Sequence, residues 1–125
     1  MSHQINMHEF NSPYYWTEHV NRVTVFRILV KEVRDPDGAV AVFRGVSAMA
    51  RQMVPAFILI DLSLTKHMSG MALVVLSSLA QQVAATRGRL AICRLDPALR
   101  VGAEIMGISS GVDIYDDEAS ALASF

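Results

Sequence analysis

Phe57-Ile58-Leu59-Ile60 is an unbroken apolar run, aromatic and β-branched in character, and Asp61 closes it. A strand with one solvated face alternates apolar and polar side chains, so a run without alternation belongs to a strand buried on both faces. Leu90-Ala91-Ile92-Cys93 has the same character. The chain is therefore expected to be an α/β protein in which helices cover a mixed sheet.

The remaining elements follow from turn and cap signals. Tyr14-Tyr15-Trp16-Thr17 and Val23 to Val30 are β-favouring runs separated by the turn-like Glu18 to Arg22. Asp35-Pro36-Asp37-Gly38 supplies a capping aspartate ahead of Val42, Val46, Met49 and Met53, which recur on one helical face up to Pro55. Gly70 to Thr86 carries Leu73, Leu76, Ala80 and Val83 at helical spacing, and Gly88 is placed as its C-cap glycine. Asp96-Pro97 opens a third helix that Gly107 ends. Val112 to Tyr115 reads as a short edge strand, and Asp116 or Asp117 caps a last helix through Ala119, Ala121 and Leu122. The sum is a mixed sheet of about four to five strands covered by about four helices. Residues 1–13 lack periodicity and read as a loosely held N-terminal extension, leaving 14–125 as the domain.

Composition narrows the function classes. With 125 residues and 52% hydrophobic side chains, the chain suits one domain with a substantial core. Lys+Arg 11 against Asp+Glu 12 leaves no basic excess for a phosphate backbone, so nucleic acid is not an expected partner. No apolar stretch approaches the ~20 residues of a membrane span, and residues 1–13 lack the pattern of a signal peptide. A soluble, cytoplasmic protein is expected. The single cysteine, Cys93, sits in an apolar run and reads as a small buried hydrophobe. His3, His8, His19 and His67 show no metal-binding spacing, and no nucleophile elbow, Walker A or dinucleotide fingerprint occurs. Neither an enzyme nor a metal or cofactor site is expected. Asp61 after an apolar strand is locally similar to a response-regulator phosphoacceptor. The acidic pair, the extra strand and the late lysine of that family are missing; the only lysines are Lys31 and Lys66. Asp61 is expected instead to accept hydrogen bonds from nearby backbone N–H groups in a turn.

Phe57 to Ser63, then Ser69-Gly70 opening a helix, then Arg87-Gly88-Arg89-Leu90 entering a strand, resembles the core of STAS domains. Pro97 to Ile108 and Val112 to Asp117 with Ala121 match the family's third helix, turn, short strand and closing helix, so the likeness covers Val23 to Leu122. The resemblance implies an anti-sigma factor antagonist, a regulator that docks on an anti-sigma factor or similar kinase-fold protein. The family's signature, Asp-Ser-Ser-Gly or close variants, falls on His67-Met68-Ser69-Gly70. Its phosphoacceptor position is thus Met68, whose thioether cannot take a phosphoryl group.

The family's switch works because a phosphoserine at a helix N-terminus adds ~1.5 to 2 negative charges to the docking surface. Methionine keeps that surface neutral and adaptable. The expected partner-binding residues are Thr65, His67, Met68, Ser69, Gly70 and Met71, with packing beneath the loop as the alternative role of the two methionines. Ser69 is a displaced phosphoacceptor in one reading and the helix N-cap in the simpler one. A stand-alone STAS subunit of a membrane transport complex is the alternative function. Tyr14, Tyr15 and Trp16 offer an edge for a homodimer, although packing against the domain body is the more ordinary use of such aromatics.

Overall fold

The computed structural model describes residues 12–108 and 111–125. In chain order the elements are β1 (Tyr15–Val20), β2 (Val23–Ile28), β3 (Glu32–Val33), α1 (Pro36–Gln52), β4 (Phe57–Asp61), β5 (His67–Met68), α2 (Gly70–Ala85), β6 (Arg89–Cys93), α3 (Pro97–Ile105), β7 (Asp113–Tyr115) and α4 (Glu118–Ala123). The main sheet has five strands in the order β1-β2-β4-β6-β7. β1 is antiparallel to β2, and the other pairs are parallel, so the expected mixed α/β architecture is found.

The two apolar runs form the adjacent central strands β4 and β6, in register from Phe57↔Arg89 to Asp61↔Cys93. Their alternate side chains enter two separate cores. Ile58, Ile60, Leu90 and Ile92 join Phe26 and Ile28 in packing against Phe43, Val46, Met49, Leu76 and Val83 of α1 and α2. On the opposite face Val25, Leu59, Ala91 and Cys93 meet Ala121 of α4, with Leu122 and Phe125 closing the edge. Each fully buried Ile or Leu contributes about 1.5–3 kcal/mol relative to exposure, which is why both central strands are apolar except for Asp61 and Arg89 at their ends.

The caps act as expected. Asp35 accepts from the Gly38 N–H at the start of α1, Asp96 from the Ala98 N–H (3.0 Å), and Asp117 from the Ser120 N–H (2.7 Å). Gly107 follows α3 with φ of +75°, the left-handed region that glycine enters without strain.

Three local expectations are corrected. Glu18 to Val20 belong to β1 rather than to a turn, because their polar side chains find partners across the hairpin: Glu18 pairs with Arg27 (3.1 Å), and the His19 ring nitrogen lies 3.1 Å from the Thr24 hydroxyl. The chain reverses at Asn21-Arg22, with Asn21 left-handed at φ 55°. After α2 the left-handed residue is Arg87 (φ 66°), not Gly88. Gly88 is needed because a Cβ there would collide with the carbonyl oxygen of Ala56. Finally, β3 and β5 form a small separate parallel pair that two-residue segments cannot announce by periodicity.

Tyr15 packs edge-on against Phe26, centroids 5.3 Å apart, whereas Trp16 stays 69% exposed. Of the expected N-terminal extension, residues 1–11 lie outside the described residues. Ser12 makes an isolated bridge to Tyr15 and accepts from the Tyr14 N–H at 3.0 Å.

Candidate functional site

The segment from Asp61 to Met71 carries the chain from the centre of the sheet to the first turn of α2. Asp61 ends β4 with only 1% exposure. Its Oδ1 accepts the Ser63 N–H at 2.9 Å, which is the turn role expected from the sequence. Its Oδ2 also accepts from Arg27 Nη1 (2.8 Å) and from Arg94 Nη2. Burial pushes the Asp61 carboxyl upward, but the Arg94 guanidinium and the Ser63 N–H outweigh it and hold its pKa below the ordinary value. Arg27 in turn reaches Glu118 (2.7 Å), tying β2, β4 and α4 together beneath the loop.

Thr65 is fully buried and donates its hydroxyl to the Val30 carbonyl at 2.9 Å. Its side chain therefore fixes the loop from below and faces no partner, unlike the contact role expected for it. Lys66 and His67 N–H groups both reach the Lys31 carbonyl (2.8 and 3.0 Å), and the Ser69 N–H reaches Val33 (2.9 Å). These bonds register β5 on β3, pairing His67 with Glu32 and Met68 with Val33. His67 is exposed, while Met68 is half-buried and packs on the main core. Ser69 is the N-cap of α2, its Oγ accepting the Ala72 N–H at 3.1 Å. Gly70 is exposed, and so is Met71, at 53%.

Sequence reasoning missed the other wall of this surface. A Cβ on Gly70 would lie 3.5 Å from Met106 Cε, so the end of α3 abuts the first turn of α2. Met106 and Val74 are both exposed apolar residues, as are Ile105 (81%) and Val101 one helical turn before it. The first turn of α2 carries no acidic residue. The result is a largely apolar rim around a helix N-terminus whose first turn bears no acidic residue. Singly exposed apolar side chains are ordinary on a protein surface, whereas a contiguous cluster of them marks an interaction surface. The spacing Met71/Val74 and Val101/Ile105 was visible in the sequence; that Met106 sits against Gly70 was not.

The STAS domain family model matches residues 10–121. No curated protein sequence matches the chain. Among solved structures, the anti-sigma-factor antagonist (STAS) domain protein from Planctomyces limnophilus is similar at TM-score 0.78 and 18% identity, over 88% of this chain and 96% of that one. The Bacillus anti-sigma factor antagonist SpoIIAA in its unphosphorylated form is similar at TM-score 0.65 and 16% identity, over 88% of this chain and 94% of that one. The murine anion transporter Slc26a9 contains a similar fold at TM-score 0.67 and 9% identity, covering 95% of this chain but 19% of the transporter. At these identities the structural likeness is one of fold. The family match spans the sheet, all the helices up to the first turns of α4, and the loop that carries the candidate site. The chain belongs to the STAS domain family.

Proposed function

We propose that this protein is a docking module of the anti-sigma factor antagonist type, binding an anti-sigma factor or another kinase-fold protein without catalysing a reaction. The observation that carries the reading is the exposed apolar rim at the N-terminus of α2, at the place where the family carries its phosphorylated hydroxyl. His67, Ser69, Gly70 and Met71 form one side of the contact, with the accessible edge of Met68; Ile105 and Met106 form the other. Thr65 holds the loop in shape from beneath.

Met68 alters the regulation rather than the docking. A phosphoryl group at that position would place negative charge against apolar partner surface; methionine leaves the site permanently neutral, so the protein is a constitutively competent binder at its family's usual switch. Ser69, committed as N-cap, is the hydroxyl nearest the family's phosphoacceptor position, with Ser63 and the buried Thr65 as more distant substitutes.

The fold likeness to part of an anion transporter supports a second reading, a stand-alone subunit of a membrane transport complex. Affinity capture with the purified protein as bait, followed by mass spectrometry and reconstitution of the captured pair, separates the two. Reconstituted binding to an anti-sigma factor or kinase-fold protein supports regulatory docking; reconstituted binding to transporter subunits alone overturns it.

A further inference from the structure

We propose that the groove between α1 and α2 binds a single-chain anionic amphiphile, an alkyl chain of medium length ending in a phosphate or carboxylate. The groove has a volume of about 350 Å³, within the range of small-ligand sites. Its floor is Phe43 and Leu79 and its apolar walls are Val40 and Val75. Arg44, Ser47 and Arg51 complete the lining, and no acidic residue contributes to it.

The arginines are what distinguish this groove from an ordinary helix–helix seam. Arg27, Arg34, Arg89, Arg94 and Arg100 all face carboxylates within ion-pair distance. Arg44 and Arg51, like Arg22 and Arg87 elsewhere on the surface, have no side-chain carboxylate partner among the described residues, but only these two stand together beside an apolar groove; Arg51 Nη1 donates to Ser47 Oγ at 2.9 Å. Arg44 lies one turn before Ser47 and Arg51 one turn after it, so the three share one stripe of α1 that lines the groove. Guanidinium forks suit carboxylate and phosphate oxygens, and two of them on one stripe of the groove favour an anionic head group there. The facing helix α2 offers no charge at all over Gly70–Ala85, so the opposite wall is neutral. Asp37, the nearest acidic residue along α1, does not line the groove.

A head held at Ser47, between Arg44 and Arg51, leaves the chain to run toward Val40, seven residues or about 10 Å along α1 from Ser47. Val40 is exposed, and there a tail would cover surface that the protein itself leaves wet. This site is independent of the docking rim at the α2 N-terminus and stands or falls separately from it.

The test is titration of the full chain with decyl phosphate, decanoate, decanol and inorganic phosphate, below micelle-forming concentrations, followed by amide NMR. Saturable binding of decyl phosphate or decanoate is expected, with shifts centred on the lining residues. The tighter of the two identifies the head group. Arg44→Glu and Arg51→Glu should each weaken it about tenfold or more, Arg34→Ala should not, and Val40→Glu should block the tail while leaving the arginines in place. Since all four substituted residues are solvent-facing, unchanged thermal melts will confirm that the fold survives. Equal binding of decanol would overturn the anionic recognition, equal binding of inorganic phosphate would overturn the tail, and no saturable binding of either amphiphile would overturn the site.

Discussion

Replacing Asp61 by alanine tests whether the buried Arg27-Asp61-Arg94 cluster holds the base of the candidate site. The substitution removes one acceptor for the Ser63 N–H, worth about 1 kcal/mol. It also removes the carboxylate partner of two guanidiniums, whose bonds in full burial would each contribute about 1.5–3 kcal/mol. Both must be discounted. Arg27 is 26% exposed and keeps Glu18 and Glu118 as partners, and Arg94 is 43% exposed and rehydrates when released. The expected loss for Asp61→Ala is therefore about 2–3 kcal/mol at neutral pH, or a fall of about 10 °C in Tm. Asp61→Asn keeps an oxygen for Ser63 and should lose roughly half as much. The sign of the pH dependence follows from the carboxyl's lowered pKa. A group held below its unfolded value of about 3.9 contributes in full above roughly pH 5 and loses its contribution as pH falls through the folded pKa. Urea unfolding of the wild type and Asp61→Ala at neutral and acid pH measures both quantities. The two stability curves should converge on acidification. Equal stability at neutral pH, or a gap that persists unchanged in acid, would refute the reasoning.

Other expectations are simpler. Gly88→Ala should cost roughly 1–3 kcal/mol or prevent folding, because its Cβ meets the Ala56 backbone carbonyl; a thermal melt shows it. Ser69→Ala should lose about 1 kcal/mol of stability with the N-cap bond, while Ser69→Asp should retain stability, as an acceptable cap at a helix N-terminus, yet weaken partner binding by placing charge on the rim; denaturation and binding titrations on the same samples distinguish the two effects. Burial, with the nearby Asp61 charge, pushes the Cys93 thiol up to about 12, so thiol reagents at mildly alkaline pH should label it only after denaturant is added.

The parts of the fold that were legible are those with strong local causes. β4 and β6 are built on the apolar runs Phe57–Ile60 and Leu90–Cys93, and α1, α3 and α4 begin at aspartates whose capping bonds are present in the structure. What was not legible depends on distant residues. Nothing near Asp61 in the chain announces Arg27 and Arg94, which lie 34 and 33 residues away. Gly88 reads as a cap by its position after a helix, although the approach of Ala56 is its actual constraint. β5 is held by backbone bonds to the carbonyls of Lys31 and Val33, so no side-chain pattern reveals it. The candidate site was half legible: the family signature located His67 to Gly70, while Val74, Ile105 and Met106 enter only because α3 ends against the first turn of α2.

The most direct measurement is calorimetric titration of the protein against the kinase-fold anti-sigma factors of its own genome, using the wild type, Met71→Asp and Ile105→Asp. Both positions are exposed, so the variants should melt like the wild type. The account predicts saturable binding to one such protein and a loss of about tenfold or more in each variant, the size expected when a charge is forced into an apolar contact. Binding by neither the wild type nor the variants, or equal affinity for all three, would contradict it.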